Sequence, residues 1–331
     1  MKHKGISKIL IGICLVLVLA LALPFMSACQ PGMNYEIGIT QIVTHPALDS
    51  AREGFIAVLA EEGFVEGENV EYILRNAEGD MSIAVSIAEY FVAEKVDLIL
   101  SIATPTSQAV VGAVEGTDIP VVFNSVTEPK EAGLVASWEK PGGQVTGVSD
   151  MAPIEPQVEL IMDIAPDTKR LGVIYNAGEV NSVVQVEMLN DIVGKFGLTV
   201  VAATAASTAD VLAAAQSLVG RVDTIWVPAD NTAVAAFESI VKVGEENGMP
   251  VFAADVATVE RGAIGCYGLD YTVVGRESGK IAVRILRGEK PAGIPVGMVP
   301  LDELYLNKEA AERMGVTIPQ ALLDKATEII E

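Results

Sequence analysis

The sequence predicts an α/β protein of two doubly wound parallel-sheet lobes joined by a hinge. Short apolar runs bounded by turn residues alternate with amphipathic stretches of helical length. The runs are rich in Val and Ile and lack internal polar alternation, as strands do when helices cover both faces of a parallel sheet. The pattern also restarts: the strand, helix and strand of residues 35–74 are echoed at 171–203, and the strands are too many for one ordinary open sheet.

In chain order, a strand over Tyr35–Val43 leads into a helix over Pro46–Glu62. Strands are then predicted at Val70–Leu74, Asp97–Ile102, Pro120–Val126 and Val145–Val148, with a helix over Ser82–Lys95. Pro141-Gly142-Gly143 and the segment Met151–Pro156, with its two prolines, mark a passage between lobes near residue 150. Beyond it the strands read Leu171–Tyr175, Leu198–Ala203, Asp223–Pro228, Pro250–Ala254 and Ala263–Tyr267, separated by helical runs at Ser182–Phe196, Asp210–Val219 and Ala233–Asn247. A helical stretch at Val273–Leu286 and the tail after Val299 cross back. The expected division is therefore 35–150 with 270–298 for lobe 1, and 151–269 with 299–331 for lobe 2.

The first residues carry Lys2, Lys4 and Lys8 with no acid, and Ile9 to Met26 run without a charge, the layout of an export signal. Length alone leaves a membrane-spanning anchor open. Pro24 interrupts the helical pattern, and Met26-Ser27-Ala28-Cys29 resembles the lipobox of bacterial lipoproteins. Residues 1–28 are then a signal peptide, Cys29 is the acylated first residue, and 29–34 form a short tether to the extracytoplasmic side of the cell membrane.

Without residues 1–28 the chain has 19 Lys and Arg against 44 Asp and Glu, a net charge of −25. Such a surface offers no cationic face for nucleic acid, and only the acyl chain would hold it on anionic lipid. Of three cysteines Cys14 leaves with the signal and Cys29 is acylated, so Cys266 has no partner and no Cys-based metal site is possible. About 300 residues, half of them hydrophobic, suffice for two ordinary cores.

Ligands of open parallel sheets bind beyond the carboxyl ends of the strands. The residues found there are polar: Thr40 and Gln41, Thr104 with Thr106, Ser125 with Thr127, Tyr175, Asn181, Asp230 and Asp255. Each also has a structural explanation, since Ser, Thr, Asp and Asn cap helices, and Thr104 before Pro105 reads as such a cap. A helix start lined with hydroxyls and free N–H groups also attracts a carboxylate. Asp230 and Asp255 differ in needing a cation if a closed cleft desolvates them.

Enzyme signatures are poor. His45, the one histidine after the signal, stands before a Pro-initiated helix and reads as a cap or packing residue; no Ser–His–Asp set can be built around it. In Gly275-Arg276-Glu277-Ser278-Gly279-Lys280 the glycines are one residue too close for a phosphate loop, and Ile281 stands where Ser or Thr must reach magnesium. It reads as a helix face. No cofactor and no metal site is expected.

At Ile39-Thr40-Gln41-Ile42-Val43-Thr44-His45-Pro46-Ala47-Leu48-Asp49, at Ser125-Val126-Thr127-Glu128-Pro129, and at Tyr175-Asn176 with Glu179-Val180-Asn181-Ser182, the sequence resembles a family of ABC-transporter substrate-binding lipoproteins. That family includes the tryptophan/tyrosine-type binding proteins, and the likeness runs from residue 35 to about 328. It implies the type I periplasmic-binding fold, three interlobe crossings, a partner permease with its ATPase, and for part of the family an aromatic amino acid ligand. The expectation is a monomeric, non-enzymatic carrier that closes on an amino-acid-like solute. Hydroxyls and N–H groups around Thr104, Thr106, Ser125 and Thr127 would take the carboxylate, and Asp230, with Asp255 as the alternative, the ammonium. Gln41, Tyr175 and Asn181 would orient the side chain or close the lid. A nucleoside or sugar ligand, or a sensor or chemoreceptor role, stands as the alternative.

Overall fold

The structure, a computed structural model, describes residues 34–300 and 303–331. The export segment, Cys29 and the tether as far as residue 33 lie outside the described residues. No helix among the described residues is long and apolar enough to cross a membrane.

Lobe 1 is wound around six parallel strands: β1 (Tyr35–Gln41), β2 (Val70–Asn76), β3 (Leu98–Ile102), β4 (Val121–Asn124), β5 (Val145–Ser149) and, from far along the chain, β11 (Gly297–Met298). Their spatial order is β11-β5-β4-β3-β1-β2. Lobe 2 repeats the pattern with β6 (Arg170–Tyr175), β7 (Thr199–Thr204), β8 (Thr224–Val227) and β9 (Val251–Ala253), in the order β7-β6-β8-β9. In both lobes the first strand has the second on one side and the third on the other, so a switch point opens beside it. Ile264 N–H donates to Val251 O at 2.8 Å, joining this sheet to β10 (Gly265–Gly268), which pairs antiparallel with β12 (Glu303–Asn307); β13 (Glu328–Ile330) lies parallel to β12.

Helices cover both sheets: α1 (Pro46–Glu61), α2 (Met81–Glu94) and α3 (Thr104–Ala113) in lobe 1, then α4 (Ile154–Ile164), α5 (Val180–Ile192), α6 (Val211–Leu218), α7 (Asn231–Ala235), α8 (Phe237–Asn247) and α9 (Ala257–Glu260) in lobe 2. After them come α10 (Tyr271–Leu286), α11 (Lys308–Arg313) and α12 (Gln320–Leu323). Strands such as β3, Leu-Ile-Leu-Ser-Ile, are buried at every residue, which explains their lack of alternation. Two cores result, one drawn from residues 37–148 and 269–299, the other from 154–266 and 304–322. The chain passes between them three times, just after β5, just after β10 and between β11 and β12.

The segment that resembled a phosphate loop is the seam between α10 and α1. A Cβ on Gly275 would sit 2.0 Å from Ala51 O, and one on Gly54 would sit 2.3 Å from Thr272 O, so backbone packs on backbone there. Two expectations change. The helix read as continuous over Ala233–Asn247 breaks at Ala236, whose φ of −116° and ψ of 30° separate α7 from α8. Thr104 is not the cap of α3: that position is Ala103, at φ 79° and ψ 157°, with no side-chain cap, and Thr104 is the first helical residue.

Candidate functional site

A small, partly open cavity of about 20 Å³ lies between the lobes. Lobe 1 lines it with His45 and Leu48 at the start of α1 and with Ser125 and Thr127 after β4; lobe 2 with Asn181, Ala229, Asp230, Asn231, Val234 and Asp255. Asp150 and Tyr271, at two of the crossings, complete it. Three of these residues are carboxylates, and among the described residues none that lines it is Lys or Arg.

The carboxylates are not equivalent. Asp230 is the N-cap of α7. Its Oδ1 accepts from Ala233 N–H at 2.6 Å, and its Oδ2 from Asn176 N–H and Ser182 Oγ–H, both at 2.6 Å. Burial, then the neighbouring Glu179 charge, raise its pKa against these hydrogen bonds. Glu179 in turn accepts from the side chains of Asn181, Asn231 and Thr232, tying the starts of α5 and α7 into one network.

Asp150 accepts from the hydroxyls of Thr127 and Tyr271, each at 3.1 Å, so it ties lobe 1 to the root of α10. Desolvation raises its pKa although these bonds oppose it. Asp255 accepts only from Ala257 N–H, 2.9 Å from Oδ1, and its Oδ2 has no donor among the described residues. Burial pushes it up to about 6. The Arg261 charge opposes that rise without bonding the carboxylate, so the unclaimed Oδ2 is open to a donor or cation from outside.

At the opposite wall His45 is lowered to about 4, by burial first and by the Arg261 charge second, so its imidazole is neutral. The Asn231 side chain, beside the ring across the cleft, acts in the opposite sense and favours the charged form. Nδ1 is buried without a partner, as is Asn181 Oδ1.

Of the residues expected at the site, Ser125, Thr127, Asn181, Asp230 and Asp255 meet at this cavity. Thr40, Gln41, Thr104, Thr106 and Tyr175 are not among its lining residues. Gln41 turns toward the outer edge of lobe 1, bonding Asp49 and Arg52. The Thr106 hydroxyl is spent on the carbonyls of Ile102 and Ala103, while those of Thr40 and Thr104 are buried without partners. Tyr175 packs on the core of lobe 2, and Trp226, also considered for a ligand side chain, lies inside that core. Asp150 and Tyr271 went unread, though each stands after a strand, as the rule used for the others requires.

Residues 36–330 match the family described as ABC transporter substrate binding protein. The chain belongs to that family. It is 41% identical over 281 residues to the tyrosine-binding protein of Clostridioides difficile, covering 85% of this chain and 81% of that one. The ABC domain from Streptococcus pneumonia in complex with L-Trp superposes with a TM-score of 0.86 at 37% identity, over 90% of this chain and all of that one. The ligand-free, open structure of a substrate-binding protein with adhesive properties from Clostridium difficile gives 0.66 at 38% identity, over 89% and 99%. At nearly equal sequence identity the L-Trp complex superposes more fully than the ligand-free, open structure does. Like its family this substrate-binding protein is a carrier of small molecules rather than an enzyme.

Proposed function

We propose that the chain is the lipid-anchored receptor of an ABC importer, closing outside the cytoplasmic membrane on an aromatic or apolar L-amino acid. The observation that carries the ligand class is the interlobe cavity with three carboxylates and no Lys or Arg lining it, an arrangement that a ligand ammonium would neutralise. Asp230 was the expected partner, but its oxygens already accept three hydrogen bonds. The open oxygen of Asp255, with Asp150 beside it, suits the ammonium better. Ser125 and Thr127, after β4, are the hydroxyls available to the ligand carboxylate, and Leu48 and Val234 the apolar contacts for its side chain. The relatives named for tyrosine and L-Trp support the aromatic class. Anchoring rests on Cys29 in its lipobox-like setting, and import on the family.

Calorimetry on protein unfolded and refolded to strip carried ligand, titrated with the twenty amino acids, nucleosides and simple sugars, tests the ligand. An aromatic amino acid should bind most tightly. A sugar or nucleoside response without any amino acid response would remove the ligand assignment. Labelled fatty acid should enter the wild-type protein and not Cys29→Ser; no label in the wild type would end the lipid-anchor reading.

A further inference from the structure

The cavity is also lined by a group of side chains that the ammonium reading leaves unused. His45 and Leu48 are one helical turn apart at the start of α1, and Asn231 and Val234 are one turn apart at the start of α7, so each lobe brings one polar and one apolar side chain to the same space. Asn231 donates its Nδ2–H to Glu179 Oε2 at 2.5 Å, which leaves its Oδ1 as the acceptor available beside the imidazole. A neutral imidazole that keeps its proton on Nε2, toward that oxygen, has Nδ1 as a bare acceptor. His45 is 7% exposed, and Nδ1 has no hydrogen-bond partner. A buried acceptor of this kind costs free energy unless the ligand brings a donor to it.

We propose that His45 is a specificity residue that reads the far end of the ligand side chain, its Nδ1 accepting a hydrogen bond from an aromatic side chain that carries a donor, a phenol O–H or an indole N–H. This rests on the amino-acid reading of the cavity and goes beyond it. It excludes phenylalanine, which would fill the apolar walls of Leu48 and Val234 and leave Nδ1 unpaired. The ring stays neutral above its pKa of about 4, so the discrimination is constant between pH 5 and 8.

The test is calorimetry on stripped wild type, His45→Leu and His45→Asn, with two pairs of probes: tyrosine against phenylalanine, and tryptophan against its indole N-methyl analogue. Wild type should prefer the donor-bearing member of at least one pair by about 10- to 100-fold, and the pair that responds tells phenol from indole. In His45→Leu that preference should fall to about twofold or less while phenylalanine binds at least as well as to wild type, which also shows that the variant is folded. His45→Asn keeps an acceptor near the place of Nδ1 and should recover part of the preference. An undiminished preference in His45→Leu, or wild-type ratios near one for both pairs, would overturn the assignment. Wild type that binds none of the four compounds would instead remove the amino-acid reading beneath it.

Discussion

Lobe 1 ends its strands at the cleft in hydroxyls and distorted backbone, with Ser125 at φ 54° after β4 and Ala103 at φ 79° after β3. Lobe 2, with the same strand order, ends its own in the carboxylates and amides of Glu179, Asn181, Asp230, Asn231 and Asp255. Non-glycine residues at such φ values are rare and are held only by their surroundings; here Ala103 N–H is fixed to Asn124 O at 2.9 Å. Lobe 1 thus brings shape and neutral donors, while lobe 2 brings charge held in a largely satisfied network. When the lobes shut, the charge of lobe 2 and of Asp150 loses water, with no Lys or Arg among the lining residues and only the Arg261 charge behind Asp255 to offset it. The fold supplies two matching jaws, and on the proposed reading the asymmetry between them favours a ligand that carries an ammonium group.

The sharpest break in that asymmetry comes from Asp255→Asn, which removes the one carboxylate with an unclaimed oxygen. Calorimetry should show binding weakened by about 2–5 kcal/mol, much of it from the ammonium left unpaired. The same residue sets a pH dependence. Its pKa in the ligand-free closed state, about 6, lies above the ordinary 3.8, so protonation favours the empty closed form as pH falls through that window. Ammonium binding needs the ionised form, so affinity should fall below about pH 6 by up to about tenfold per unit, and this limb should vanish in Asp255→Asn. An unchanged limb would move the ammonium to another carboxylate.

Asp230 sharpens the comparison from the other side, because its oxygens serve α7 and the β6–α5 turn. Asp230→Ala removes the cap and strands Asn176 N–H and Ser182 Oγ–H, so chemical denaturation should report a loss of about 2–3 kcal/mol of stability. A large loss of affinity with unaltered stability would return the ammonium to Asp230. Smaller still is the expected effect of Gly275→Ala in lobe 1, which pushes α10 off α1 and should cost about 1–3 kcal/mol of stability, read as a lower denaturation midpoint. Its ligand preferences should be untouched, since the seam lies outside the cavity.

The strands were legible because burial on both faces leaves an unbroken apolar run; β3 and β8, with the sequences LILSI and TIWV, are wholly buried. The short edge elements β11 and β13 were not, since two or three largely exposed residues carry no such run, nor was β12, whose five residues are only partly buried although it lies between β10 and β13. The break at Ala236 left no mark, because Ala suits a helix on either side of it. At the site, the post-strand rule finds which residues stand at the cleft edge but not which way they face. Thr106 obeys it and spends its hydroxyl on its own backbone, whereas His45 stands at the N-cap of α1, as read, yet its side chain caps nothing and its buried ring lines the cavity. The division of labour among Asp150, Asp230 and Asp255 depends on which N–H groups each meets, and those partners come from residues up to 121 positions away.

The central claim is that the ligand ammonium is the cation that lets the jaws shut. Small-angle scattering on stripped protein near pH 7.5 tests it, comparing the amino acid found by calorimetry with the same compound lacking its amino group. The amino acid should shift the open protein to the compact form by rigid rotation of the lobes, with a smaller radius of gyration, and the deaminated compound should leave the radius unchanged. An unchanged radius at saturating amino acid, or equal compaction by the deaminated compound, would contradict the account.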